Sequence, residues 1–247
     1  MTPTNYKLTI QYDGTRYDGW QRQGNTDNTI QGKLESVLSR MAGQRVEVQG
    51  AGRTDAGVHA LGQVASVRLP QPLTPQEVLT YANRYLPEDI AVVAAEAAHP
   101  RFHARLSARG KCYRYQLHLG PVPDVFSRRY HYRLPGPLDL QAMRQAAALL
   151  TGTHDFRSFC SNKRYKKSTV RTIRSITVEA QGPALTLTYQ GDGFLYNMVR
   201  ILTGTLIEVG QGQREARSMP QILAALDRTA AGHTAPAQGL SLVEVYY

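Results

Sequence analysis

The hydrophobic pattern of this 247-residue chain passes twice through the same order of strands and helices, which restricts the folds open to it. In the first half, residues 6–12 alternate between apolar and polar side chains, as a half-buried strand does. The elements predicted after it are a helix at 30–41, strands at 46–49 and 64–69, a helix opened by Thr74 and Pro75 with its apolar stripe at 78–86, and a strand at 90–95. This β-α-β-β-α-β order is typical of the ferredoxin-like fold, which also underlies the RNA-recognition fold.

The second half repeats this order. Its predicted elements are a strand at 113–119, a helix at 140–150, paired strands at 173–179 and 184–189, helices at 194–206 and 221–228, and a strand at 240–246. We therefore expect an α+β protein with two ferredoxin-like halves, residues 1–104 and 105–247. Their antiparallel sheets are expected to meet at a central cleft, where loops from both halves can reach one substrate.

Composition excludes several classes of protein. With 42% apolar and 19% charged residues, the chain is neither a disordered tail nor a coiled coil. No apolar run is long enough to span a membrane, and the N-terminus lacks the apolar core of a signal peptide. Its two cysteines, Cys112 and Cys160, are too few for a disulfide scaffold and too far apart for a zinc knuckle. We expect a soluble, cytoplasmic globular protein.

The formal net charge of +10 comes largely from two stretches of the sequence. Residues 101–133 hold eight Lys or Arg and one acid, Asp124, while residues 157–174 hold seven Lys or Arg and no acid. Aromatic residues are interleaved with these cations: Phe102, Tyr113, Tyr115, Tyr130, Tyr132, Phe156, Phe159 and Tyr165. Because arginines bind phosphates and aromatic rings stack on unpaired bases, this mixture favours an RNA partner over a membrane.

The segment Gly50–Ala60 is the most unusual in composition. Small residues flank Asp55, so a bulky ligand could approach its carboxylate closely. A turn in which Asp55 bonds neighbouring amides and pairs with Arg53 is the simpler interpretation of the residues alone. His59 is expected to be a hydrogen-bonded structural residue, and Asp13, Asp155 and Asp192 to be turn or cap residues. No second ligand stands at metal-binding spacing from His59.

The residues Gly52–Ala60 read GRTDAGVHA and resemble the signature of the tRNA pseudouridine synthase A family at every position. The resemblance extends along the chain in the family's order. The other matching segments are Tyr12–Thr15 with Gly19–Gln23, Thr29–Gly32, Phe102–Arg105 with Lys111–Tyr115, Thr151–Phe156, Gly193–Arg200 and Ala235–Leu240. The stretch around Ser161–Ser168 looks individual.

This resemblance implies a cofactor-free and metal-free isomerase that converts uridine to pseudouridine in the anticodon stem-loop of tRNA, at nucleotides 38, 39 and 40. The family's essential aspartate corresponds to Asp55, which would either attack C1′ or take a proton from the sugar. Its stacking tyrosine corresponds to Tyr113, a candidate to handle the C5 proton. Its basic partner of the aspartate corresponds to Arg200, charged on an otherwise apolar helix.

Partners follow from the same resemblance. The tRNA is expected to contact Arg53, Arg105, Arg109 and Lys111 as well as Tyr113, and the family's homodimer suggests that one tRNA spans two subunits. Arg53 could also help to lever out the target base or brace its loop with a salt bridge. Two other classes fit the residues less well. A non-catalytic RNA-binding module has no use for Asp55 or Arg200, and a small-nucleotide enzyme would need a phosphate-binding loop, which is missing.

Overall fold

The computed structural model describes residues 3–162 and 167–247. Its helices and strands are, in order, β1 (Thr4–Tyr12), α1 (Ile30–Ala42), β2 (Val48–Gly50), β3 (His59–Leu69), α2 (Pro75–Tyr85), β4 (Ile90–Ala97), β5 (Gly110–His118), β6 (Tyr132–Arg133), α3 (Leu140–Leu149), β7 (Gly152–Asp155), β8 (Val170–Gln181), β9 (Ala184–Gly191), α4 (Met198–Gly210), α5 (Met219–Ala225) and β10 (Leu240–Tyr246). Residues 163–166, which belong to the basic stretch 157–174 of the sequence, lie outside the described residues.

The chain divides into two compact units. The first contains the described residues up to Arg109 together with Ser241–Tyr247, and the second contains Gly110–Leu240. The first unit therefore includes nearly all of β10, which the sequence pattern places in the second half.

In the first unit, β1 pairs antiparallel with both β3 and β4, and β3 pairs antiparallel with β2. The strand order β4-β1-β3-β2 is that of a ferredoxin-like sheet. The start of β3 also pairs in parallel with β10, with Ser241 opposite His59. Alternate residues of β1, namely Tyr6, Leu8 and Ile10, are fully buried. The apolar residues that alternate in the sequence thus form the face of this strand that packs in the core.

In the second unit, β5, β9, β8 and β7 are neighbours in that order and all pair antiparallel. The hairpin β8–β9 turns at Gly182 and Pro183, with Gly182 at φ 56°. The order of β5, α3, the hairpin and α4 confirms the predicted repeat, to which the structure adds β6 and β7. The α+β class with mostly antiparallel sheets is confirmed within each unit.

Two predicted boundaries are wrong. The strand predicted at 64–69 begins at His59, so the glycine-rich loop before it covers only residues 51–58. The helix predicted from Phe194 begins at Met198, because Asn197 before it has a left-handed backbone at φ 60°. Phe194 therefore lies ahead of α4.

Within the described parts of the chain, no helix has the length and apolar character that crossing a membrane requires. In residues 3–162 and 167–247, no cluster of three or more His, Cys, Asp or Glu could hold a metal ion. Cys112 and Cys160 are both buried and unbridged.

The helix α4 is the buried centre of the second unit. Of its 13 residues, 11 are buried, and the exceptions are Arg200 and Glu208. Residues 232–235 lie along it: the Gly232 N–H donates to the Thr205 hydroxyl at 2.9 Å, and the Ala235 N–H donates to the Arg200 carbonyl at 3.1 Å. Residues 232–235 can lie this close to α4 only if the residue at position 204 has no side chain.

We expect Gly204→Ala to destabilise the protein, although alanine is ordinarily favoured over glycine in a helix by about 1 kcal/mol. A Cβ at this position would lie 1.9 Å from the His233 carbonyl oxygen, and such overpacking costs about 1–3 kcal/mol. Urea unfolding measures the change. Gly24→Ala is the control, because a Cβ there meets nothing within 4 Å, and its change should stay within about 0.5 kcal/mol. Equal stability of the two variants would contradict the expected clash.

Candidate functional site

The segment singled out from the sequence forms the loop between β2 and β3, residues 51–58, which we call the aspartate loop. Asp55 is half-buried, and its carbonyl accepts a hydrogen bond from the Val58 N–H at 3.2 Å. Gly57 lies inside this four-residue turn at φ 76°, a conformation that favours glycine. The sequence Asp-Ala-Gly-Val thus turns tightly just after the carboxylate.

The chain between β1 and α1 packs against the aspartate loop. The backbone N–H of Trp20 donates to the Thr54 carbonyl at 3.1 Å, and the backbone N–H of Gly57 donates to the Tyr17 carbonyl at 3.3 Å. Below them, the Tyr12 and Thr54 hydroxyls share a buried hydrogen bond of 2.8 Å. Burial raises the pKa of Tyr12 well above its usual value, so this hydroxyl stays protonated. Asp55 therefore follows a residue whose backbone and side chain are both fixed.

This packing explains two glycines, Gly14 of a matching segment and Gly50 at the end of β2. A Cβ on Gly14 would lie 2.0 Å from the Val58 carbonyl oxygen, and one on Gly50 would lie 2.5 Å from the Trp20 ring. Any side chain at either position would push the two stretches of chain apart. The glycines serve close packing, since no phosphate-binding motif accompanies them.

His59 has the structural role predicted for it. Its side chain is 3% exposed, and Nδ1 accepts the Gly14 N–H at 3.0 Å while lying 3.2 Å from Asp13 Oδ1. Asp13 caps the following turn, since its carboxylate accepts the Thr15 N–H at 2.9 Å. These residues hold the segment 13–20 in place.

The predicted tRNA-binding arginines of the first unit lie at its surface. Arg53 is exposed, and its Nε donates to Oε1 of Gln21 at 2.9 Å. Arg105 and Arg109 are exposed on the stretch after β4. The Asn5 side chain fixes the start of that stretch, because Nδ2 donates to the carbonyls of residues 99 and 102 at 2.9 Å.

Tyr113 lies on β5 of the second unit, opposite Tyr189 of β9. Its side chain is 7% exposed, and the Phe194 ring meets it edge-on with centroids 5.2 Å apart. The orientation of this ring is therefore held by packing. Phe194 is the neighbour that the sequence pattern missed, because it was assigned to the helix. Lys111, two residues before Tyr113, is half-buried.

Arg200 lies in the first turn of α4 and is half-buried. Its Nε donates to the Ala235 carbonyl at 2.7 Å, and Nη1 donates to Oδ1 of Asn197 at 3.2 Å. The charged group on this apolar helix thus has two oxygen acceptors within the second unit. Its pairing with Asp55 stays a prediction. The segment Ala235–Leu240 contacts the same region, since the Tyr115 hydroxyl donates to the Pro236 carbonyl at 2.7 Å.

Asp155 and Asp192 differ in the contacts that they make. The Asp155 carboxylate accepts the Arg157 N–H at 2.9 Å, two residues on, and so acts as the predicted turn residue. The Asp192 carboxylate accepts the Thr172 N–H at 3.0 Å and so joins the end of β9 to β8.

The sequence matches the family described as tRNA pseudouridine synthase over residues 8–106 and 146–247. The chain belongs to this family. It is 50% identical to the tRNA pseudouridine synthase A of Bacillus sp. (strain KSM-64), over 96% of this chain and 97% of that protein. It is 45% identical to the tRNA pseudouridine synthase A of Acetivibrio thermocellus, over 98% and 99% of the two chains.

Among solved structures, the chain resembles one titled "Crystal Structure of a Cbf5-Nop10-Gar1 Complex" at 13% identity and a TM-score of 0.39, covering 96% of this chain and 48% of that one. Membership of the tRNA pseudouridine synthase family rests on the sequence relatives, and it makes the protein an isomerase. Asp55 and Arg200 lie inside the matched ranges, whereas Tyr113 lies between them.

For this member of the family, we expect Thr54→Val to lower the free energy of unfolding by about 1 kcal/mol. Valine keeps the shape of threonine but leaves the buried Tyr12 hydroxyl without the partner at 2.8 Å. Thr54→Ser retains the hydroxyl and should recover most of the loss. Urea unfolding monitored by circular dichroism gives the values, and a valine variant as stable as the wild type would show that this bond does not hold the aspartate loop.

Proposed function

We propose that this chain isomerises uridine to pseudouridine in the anticodon stem-loop of tRNA, at nucleotides 38, 39 and 40, without a cofactor. Family membership and the printed names of its relatives support tRNA as the substrate. The observation that carries the proposal is the position of Asp55, half-buried at the start of a tight turn and surrounded by small residues. Such a carboxylate can approach a sugar closely.

The proposed reaction is an internal transfer of the base. As the bond between N1 of uracil and C1′ of ribose breaks, the sugar becomes electron-poor, and the Asp55 carboxylate either attacks C1′ or removes a proton from the sugar. The base then turns and rejoins through C5. The C5 proton leaves and N1 gains one, so atoms and electrons balance without an oxidant.

The other residues are assigned supporting roles in this proposal. Tyr113 stacks on the uracil and is a candidate to accept the C5 proton, with Phe194 holding its ring at 5.2 Å. Arg200 pairs with Asp55, because a nearby cation keeps a carboxylate ionised. Arg53 is exposed two residues before Asp55 and binds the tRNA or helps to displace the target base.

Further contacts to tRNA are assigned to Arg105, Arg109 and Lys111. The first two are exposed and the third is half-buried. By analogy with the family we propose a homodimer, in which one tRNA contacts both subunits. Since the proposed substrate is tRNA, the cytoplasm is the expected compartment.

We expect Asp55→Asn to abolish turnover while leaving tRNA binding within about threefold. The amide keeps the size of the carboxylate but is neither a nucleophile nor a base. Tritium release from tRNA transcripts carrying 5-³H-uridine measures the reaction, and filter binding measures affinity. Asp27→Asn, the same change at an exposed loop position, is the control and should react as the wild type. Full activity of Asp55→Asn would exclude the proposed role, and a wild type that binds tRNA but releases no tritium would favour a binding module.

Tyr113→Phe separates stacking from proton transfer, because it keeps the ring and removes the hydroxyl. If the hydroxyl handles the C5 proton, tritium release should fall by about 10²-fold or more with unchanged affinity, in line with usual general-base contributions. Tyr113→Leu removes the ring as well and should also weaken binding. Normal turnover of the phenylalanine variant would leave the ring as the only contribution of this residue.

A further inference from the structure

The second unit exposes a cluster of apolar side chains on the stretch between β5 and α3. The Phe126 side chain is 92% exposed, and Val122 and Val125 are 73% and 56% exposed. We call residues 121–133 the Phe126 loop. It lies between the two ranges of the chain that match the family model, in the same interval as Tyr113. An exposed phenylalanine surrounded by exposed valines indicates a contact surface.

The structure holds this loop in a defined conformation. The Asp124 carboxylate accepts the N–H groups of Phe126 and Ser127 at 3.1 and 3.3 Å and the Ser127 hydroxyl at 2.6 Å. The Ser127 hydroxyl and these two amides lower the pKa of Asp124, which keeps it charged and bonded. At the base of the loop, the His118 ring Nε2 lies 2.8 Å from the Val122 carbonyl oxygen. Phe126 is therefore presented to solvent by a structured turn.

The loop that carries the exposed ring is rich in cations. Arg128, Arg129 and Arg133 are all exposed on the same loop. Arg133 is positioned by its Nη2, which donates to the Pro121 carbonyl at 2.8 Å. The single acid of the loop, Asp124, is engaged by its own turn, so the outward-facing charge is positive.

We propose that the Phe126 loop binds the RNA substrate, with the Phe126 ring stacking on an unpaired base and the arginines contacting the neighbouring phosphates. The inference rests on the proposed function, which supplies the RNA. A π-face and flanking guanidinium groups are what single-stranded nucleic acid binds without base-specific hydrogen bonds. A second copy of the chain is the weaker occupant, because a symmetric contact would bring the same three arginines of both copies together.

The test compares four variants for binding to an unmodified tRNA transcript with uridine at nucleotides 38–40. Phe126→Ala and Phe126→Leu should each bind about tenfold more weakly, because neither has a ring to stack, while Phe126→Tyr should bind as the wild type. Leu149→Ala is the matched control. It shortens another exposed apolar side chain of the same unit, 41% exposed on α3, and should leave affinity unchanged. Wild-type affinity of Phe126→Ala overturns the proposal.

The salt dependence separates the two kinds of contact. Replacing Arg128 by alanine should reduce the slope of log K against log salt by about 0.7–0.9, the value for one lost phosphate contact. Phe126→Ala should shift affinity at every salt concentration and leave the slope unchanged. A slope that Arg128→Ala does not alter overturns the phosphate assignment.

Sedimentation of the same variants tests whether a change in self-association causes the change in tRNA affinity. If Phe126→Ala changes the oligomeric state, the loop joins copies of the chain and the proposal is overturned. Tritium release tests the proposed function separately. If the wild type isomerises uridine and Phe126→Ala binds tRNA with normal affinity, only the proposal for the Phe126 loop is rejected. If the wild type binds tRNA without isomerising it, only the proposed reaction is rejected, because the role of the Phe126 ring is measured by binding affinity.

Discussion

The close approach of residues 13–20 to the aspartate loop is the constraint on which the geometry of the first unit depends. Two backbone hydrogen bonds and a buried pair of hydroxyls join the two stretches. Each such bond contributes only about 1 kcal/mol on average, but an unpaired buried group would cost more. Because Gly14 and Gly50 leave no side chain in the way, the contact can form between backbones. The backbone next to Asp55 is thereby held by main-chain hydrogen bonds and by one buried pair of hydroxyls.

The second unit fixes Arg200, the proposed partner of Asp55, by a similar device. Gly204 lets residues 232–235 lie directly on α4, and the Ala235 carbonyl then accepts from the Arg200 side chain. Two oxygen acceptors at fixed distances replace part of the hydration that a guanidinium loses when it becomes half-buried. Its direction is therefore determined before any substrate binds, which is what electrostatic preorganisation of a reacting carboxylate requires.

Sequence reasoning succeeded where the signal is local. The alternation in β1, the helical stripes and the unusual composition around Asp55 are all properties of short windows. It failed at the start of β3 because Gly62 interrupts the alternation and suggests a loop. In the structure, Gly62 is a strand residue whose missing side chain allows the Val243 carbonyl to approach, since a Cβ would lie 2.3 Å from its oxygen. That partner is 181 positions away in the chain, so no window of sequence contains the information.

The error at Phe194 has a different cause. Phe194, Met198 and Leu202 are spaced as a helix would space them, yet the left-handed Asn197 separates the first from the other two. A single positive φ outside glycine cannot be read from hydrophobic spacing. The consequence is a packing contact, because a phenylalanine outside the helix is able to lie edge-on against Tyr113.

The cations of the chain fall into two physical classes, which clarifies what a net charge of +10 means. Exposed arginines such as Arg105 and Arg128 interact through water, so salt screens them over a Debye length of about 8 Å. Arg200 is half-buried and hydrogen-bonded, and salt should influence it far less. Attraction of a polyanion therefore belongs to the first class, whereas a role close to a reacting carboxylate suits only the second. Net charge counts both classes alike, and only burial and hydrogen bonding separate them.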